Sequence, residues 1–160
     1  MARRGDSLAV MRKTLIALLA ACIGLAGAAS VTRAGLFSAT GMVIAILDGE
    51  LFLGEAEGHL NGAGTLAIHS QKNPGLTCVG QFTSSAKLGG KGDLKCSDGA
   101  SATFRFERLD IYSGHGVGDL SRGSMSFTYG LSAKEAKPYL KLPKGKQLAH
   151  NGKELALVDL

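Results

Sequence analysis

Three copies of Gly-x-Gly-x-Leu constrain this chain more than anything else in it: Gly62-Ala63-Gly64-Thr65-Leu66, Gly90-Lys91-Gly92-Asp93-Leu94 and Gly116-Val117-Gly118-Asp119-Leu120. They recur at intervals of 28 and 26 residues, the length of one β-hairpin with its loops. A unit of that size reads as a set of hairpins sharing one core. The paired glycines permit positive φ and close backbone approach at a turn or bulge, and the leucine supplies a core side chain. In a phosphate-binding loop the same spacing opens a helix, and no helical pattern follows any of these copies, which excludes a nucleotide site.

The rest of the chain alternates in the same way. Met42-Val43-Ile44-Ala45-Ile46-Leu47 is a strand-like apolar run, Asp48-Gly49 is a favoured two-residue turn, and Glu50-Leu51-Phe52-Leu53 returns. Leu66 and Ile68 share a face, with His69 on the other. Asn73-Pro74-Gly75 turns the chain, Leu76 to Phe82 forms a strand, Gly89-Gly90 turns again, and Leu94 and Cys96 face one way. After Ser97-Asp98-Gly99, Ala102, Phe104 and Phe106 make an inward face, and Met125 to Tyr129 closes the regular region. Few aromatics among 23 glycines favour short strands and tight turns over a bulky core. Beyond it, Ser132-Ala133-Lys134-Glu135 is a capping box opening a short helix. Gln147 to Val158 reads as a final hairpin on Asn151-Gly152, with Leu148 opposite Leu155. The expected fold is all-β: a small antiparallel hairpin array or a barrel or roll over 41–130, with a short helix and C-terminal hairpin over 131–160.

The second unit, Cys78-x-Gly80-x-Phe82 then Gly90-x-Gly92-x-Leu94 then Asp98-Gly99, resembles the MORN repeat. That repeat is a hairpin of the form aromatic-x-Gly-x-aromatic, Gly-x-Gly-x-aliphatic, Asp-Gly. The first unit shows Phe52-x-Gly54-Glu55 and then the Gly62 copy; the third keeps Phe104-x-Phe106 and the Gly116 copy without the leading glycine. The resemblance spans roughly residues 50–130 and departs from the pattern in its longer units, in Cys78 at the aromatic position, and in a third unit lacking Asp-Gly. It implies a hairpin array and, by analogy alone, scaffolding, dimerisation or lipid contact.

The first 28 residues read as an export signal. Arg3, Arg4, Arg12 and Lys13 precede an apolar stretch from Thr14 to Leu25, and Ala26-Gly27-Ala28 fits an Ala-x-Ala cleavage site. Met11 is an alternative start, and residues 29–40 form a linker. Leu19-Ala20-Ala21-Cys22 also fits a lipobox, in which Cys22 is acylated and becomes the N-terminus. The apolar sequence that continues past Cys22 is explained by ordinary cleavage and not by acylation. An uncleaved anchor is a third route, for which the apolar run is short. Every route leaves Cys78 and Cys96 as the remaining pair, and an exported domain is expected to join them. Both fall on inward faces of neighbouring strands, so a disulfide is geometrically reachable. The expected location is the periplasm or exterior, or the outer membrane if Cys22 carries lipid.

Processing also changes the charge. The chain's 18 basic and 13 acidic residues lose four and one with the signal, leaving 14 and 12 and removing most of a formal net charge of +5. Near-neutral charge and an exported address argue against nucleic acid as a partner. Lys134, Lys137, Lys141, Lys144 and Lys146 make a basic stretch. It reads as a solvated edge that discourages aggregation, or as a weak contact for anionic lipid.

Candidate chemistry is sparse. His59, His69, His115 and His150 sit at turns or strand ends with unmatched offsets in the repeat, so no metal cluster is expected. Glu55 and Glu57 face outward together as a solvated pair. No cofactor and no catalytic triad is expected. The sequence therefore points to an exported, non-catalytic binding or structural protein of a bacterial envelope. Alternatives are an envelope lipoprotein anchored at Cys22 and an enzyme with a site near His115 and Asp119. A binding module of this kind should carry an exposed apolar patch and no deep polar pocket.

Overall fold

The computed structural model describes residues 38–85 and 87–160; the expected export signal, Cys22 and most of the expected linker lie outside the described residues. Eight strands pair antiparallel in chain order: β1 (Ser38–Leu47), β2 (Glu50–His59), β3 (Ala63–Ser70), β4 (Thr77–Ser85), β5 (Gly89–Cys96), β6 (Ser101–Arg108), β7 (Gly114–Leu120) and β8 (Gly123–Tyr129). Strand β8 then pairs with β1, from Val43↔Tyr129 to Leu47↔Met125, and the sheet closes into a barrel. Of the two arrangements the sequence left open, the barrel is correct and the open hairpin array is not. Closure gives every strand two neighbours and removes the exposed edges an array would leave.

Local chemistry sets the hairpins. Asp48 and Gly49 take φ values of 48° and 81°, the left-handed pair that a two-residue turn between twisted strands requires. Gly89 and Gly90, read from sequence as a turn, instead begin β5 and pair with Ser85 and Ser84. The repeat glycines also act differently from the turn role expected of them. Only Gly62 of the six has positive φ, at 83°. The others stand at inward positions opposite phenylalanines: Gly64 and Gly92 both pair with Phe82, Gly92 and Gly118 with Phe104, and Gly90 and Gly116 with Phe106. A Cβ on Gly64 would come within 2.1 Å of Phe82 Cζ, and one on Gly92 within 2.5 Å of Phe104 Cζ. The glycines are the holes into which the rings fit. The repeat is therefore a checkerboard of small and large residues around a narrow barrel, as small barrels need.

Two apolar clusters result. The inner one includes Val43, Ala45, Leu47, Phe52, Leu66, Ile68, Leu94, Phe104, Phe106, Met125 and Phe127. The outer one lies where the tail covers the barrel wall. It packs Ile44, Ile46 and Leu51 against Ala136, Leu140, Leu148 and Leu155. This explains why Val43 to Leu47 is an unbroken apolar run: odd residues face the lumen and even ones face the tail, so both faces are buried, while Met42 is exposed.

The tail comprises α1 (Ala133–Ala136), a 3-10 turn (Lys137–Tyr139), β9 (Lys146–Asn151) and β10 (Glu154–Asp159). Its capping box is formed, with the Ser132 hydroxyl accepting from the Glu135 amide and the Glu135 carboxylate accepting from the Ser132 amide. The final hairpin turns on Gly152-Lys153, one residue later than its Asn-Gly pair suggested. Leu148 accordingly faces Leu157, and Leu155 faces His150. Both Leu148 and Leu155 still fall on the buried side. Gly152 takes a φ of 66° at the first position of this turn, where a two-residue hairpin loop favours glycine, and both registers keep the same side chains on the buried face.

Cys78 and Cys96 are directly opposed on β4 and β5 and form a disulfide, with a Cα–Cα separation of 3.9 Å. The neighbouring Ser97 amide donates to Thr77 O, which leaves the cysteines at the closer, non-hydrogen-bonded kind of cross-strand position.

Candidate functional site

The two ends of the barrel differ. At one end the connections are Asp48-Gly49, residues 71–76, residues 97–100 and residues 121–122, which are polar or glycine-rich apart from Leu76 and Ala100. Beneath them Leu47, Cys78, Leu94 and Met125 are fully buried and plug the lumen. At the other end the loop tips carry Leu60, Leu88, Ile111 and Tyr112, which are between 69% and 81% exposed. Exposed leucine and isoleucine on neighbouring tips form the kind of apolar surface that marks a binding site.

Between these tips a cavity of about 500 Å³ opens into the lumen. Its walls are Val43, Ala56, Leu66, Phe82, Phe104, Phe106, Phe127 and Tyr129, and its rim includes Thr40, His59, Asn61, Ser84, Arg108 and Tyr112. The rings form its floor as edge-to-face pairs: Phe82 with Phe106 at 5.5 Å, Phe104 with Phe127 at 5.3 Å, and Phe106 with Tyr129 at 5.7 Å between centroids. Such pairs hold one another rigidly. The space exists because the mouth end of the lumen is lined by Gly41 and Gly58 where a larger side chain would fill it. The size and apolar lining match a small-molecule site.

Tyr129 presents its ring to this space. Its hydroxyl is buried in the wall, where it lies against Gly114 and has no hydrogen-bond partner among the described residues. Burial pushes its pKa above the ordinary value; nearby Arg108 opposes that rise and Asp110 adds to it. Asp110 itself is held below the usual carboxylate range by the Ser113 hydroxyl and the Tyr112 and Ser113 amides, which together fold the β6–β7 loop around it.

The residues singled out from the sequence are dispersed relative to this cavity. His59 stands at its rim, while His69 faces outward on β3 and His150 lies in the final hairpin. His115 and Asp119 are both on the outer face of β7. The His115 ring stacks on Tyr139 at 4.2 Å, so it serves as a contact between barrel and tail. Among the tail lysines, Lys146 pairs with Asp159 at 2.7 Å and the Lys141 amide donates to Ser126 Oγ. The repeat glycines shape the lumen from within its walls. Arg108 and the aromatic floor lie outside the site residues the sequence suggests, although Ala102-x-Phe104-x-Phe106-x-Arg108 keeps one alternation, which places Arg108 inward at the mouth.

A second, larger concavity of about 1160 Å³ runs over the outer wall of β3 to β7. It is shallow and lined by exposed side chains of mixed charge, including Thr65, Gln81, Lys91, Asp93 and Arg105. Water competes freely for every polar group there, so it offers less to a ligand than the lumen.

No family model matches the chain, and no curated protein matches it. Among solved structures it is similar to a de novo designed fluorescence-activating β-barrel, with 17% identity and a TM-score of 0.48, over 64% of this chain and 99% of that one.

Proposed function

We propose that this chain is an exported, non-catalytic binding protein of the bacterial envelope that holds a small apolar ligand in its barrel lumen. The observation that carries the reading is the cavity of about 500 Å³, floored by four phenylalanines and opening between exposed apolar loop tips. Apolar burial drives such binding at about 25 cal/mol per Å² removed from water. Rigid rings spare the ligand much of the ordering cost that a collapsing pocket would impose. The export signal and the disulfide fit a protein that works in an oxidising compartment. Anchoring through Cys22 would keep the same lumen at a membrane surface. An enzyme centred on His115 and Asp119 has less support, because His115 is engaged with Tyr139 and Asp119 faces the open outer wall.

The test is a titration of the exported domain with a naphthalene-type fluorescent probe, in competition with medium-chain alcohols. One saturable site is expected, with affinity reduced about tenfold or more when Gly58→Val fills the mouth. Gly58 suits this purpose because a Cβ there would meet only Phe82 Cζ, at 3.9 Å. Probe binding that Gly58→Val leaves unchanged would place the ligand elsewhere.

A further inference from the structure

Arg108 ends β6 on the inward side, one alternation above Phe106, at the opening of the lumen. Its Nε donates to Ser85 O at 3.2 Å, its Nη1 to Ile111 O at 3.1 Å and its Nη2 to Ser84 Oγ at 3.1 Å. All three acceptors are neutral. No carboxylate among the described residues forms an ion pair with it. The nearest candidate in sequence, Asp110, is turned into its own loop by Tyr112 and Ser113, and Glu107 points to the outer side of β6. Among the described residues lining this cavity, Arg108 and His59 are the only basic side chains, and there is no carboxylate. The guanidinium is thus fixed in place while its charge is left without a counter-ion beside an apolar space.

A fixed guanidinium with unused N–H groups is a receptor for a carboxylate or phosphate oxygen. We propose that the ligand is an amphiphile with one anionic head, the head bound at Arg108 and the apolar chain lying over Phe82, Phe104, Phe106 and Phe127. The proposal rests on the lumen being the binding site and adds the class of ligand. It also accounts for why the mouth, rather than the floor, holds the charge: the head stays at the water boundary and only the chain is desolvated.

The experiment compares dodecanoate, dodecyl phosphate and dodecanol by calorimetric titration, on the wild-type domain and on Arg108→Gln and Arg108→Lys. Wild type should favour the two anions over dodecanol by roughly 10- to 100-fold, as a charge-assisted hydrogen bond implies. The carboxylate and phosphate arms tell which head the site prefers. Arg108→Gln should lose the preference for anions, its affinity for both falling to that for dodecanol, and Arg108→Lys should keep part of the preference. An anion preference that survives in Arg108→Gln overturns the proposal. So does an equal loss for all three ligands, which would mean that Arg108 only ties the loops together. Wild type binding dodecanol without anion preference sinks this inference and leaves the lumen reading standing; binding none of the three sinks both.

Discussion

Gly58 and Gly64 face each other across the β2–β3 ladder, both inward, yet the same substitution should act on them in opposite directions. A Cβ on Gly64 would lie 2.1 Å from Phe82 Cζ and 2.5 Å from the main-chain oxygen of Glu57. Valine there must displace both a packed ring and the backbone of β2. Overpacking of that kind costs about 3 kcal/mol or more. A Cβ on Gly58 meets only the edge of the same ring, at 3.9 Å, and its methyls enter the open lumen. Relieving glycine's backbone freedom contributes about 0.5–1 kcal/mol, and each methyl covered by the rings about 0.8 kcal/mol. Gly58→Val should therefore be about 1–2 kcal/mol more stable than wild type. Urea denaturation of the oxidised domain reads both. With a slope near 2 kcal/mol per M, the two midpoints should stand roughly 2 M apart, on either side of wild type. If Gly64→Val unfolds at the wild-type midpoint, the repeat glycines are not the holes for the rings, and the account of the checkerboard is wrong.

Other outcomes follow from the same geometry. Leu148→Ala, in the cluster that seals the outer wall, should cost about 2–5 kcal/mol in denaturation experiments; a loss below 1 kcal/mol would mean the tail is only loosely held. Reducing Cys78–Cys96, which are 18 residues apart, should lower stability by about 3 kcal/mol. Thiol titration of the denatured domain from residue 29 onward should find neither cysteine free, and two reactive thiols would refute the bond. The raised pKa of Tyr129 makes stability fall as pH rises past about 10, because the unfolded tyrosine ionises there while the folded one stays neutral. Tyr129→Phe should flatten that alkaline decline relative to wild type, and an unchanged slope would show that the hydroxyl is not buried. Intact mass of the exported protein should match cleavage after Ala28; a diacylated mass beginning at Cys22 would establish the anchored form instead.

Much of this fold was legible because its determinants are local. Asp48-Gly49 fixes the first hairpin, the alternation of Leu66 with Ile68 and of Phe104 with Phe106 sets the inward faces, and the parity of Cys78 and Cys96 put both on one side. What stayed hidden depends on partners far away in sequence. Closure requires β8 to meet β1 across separations of 78 to 86 residues, and no local pattern specifies it. The glycines of the repeat make sense only once Phe82, Phe104 and Phe106 stand opposite them. The final hairpin turns one residue later than Asn151-Gly152 suggests, because Gly152 fills the first turn position and either placement keeps the same face buried. The site was the least legible part. A cavity is the absence of side chains at Gly41 and Gly58, and Arg108 becomes a site residue only when its strand ends at a mouth.

Intermolecular NOEs from bound dodecanoate to the protein show whether the lumen is the binding site. The alkyl chain should contact ring protons of Phe82, Phe104, Phe106 and Phe127. Contacts instead to Thr65, Gln81 and Arg105 on the outer wall, with none to those rings, would contradict the lumen reading.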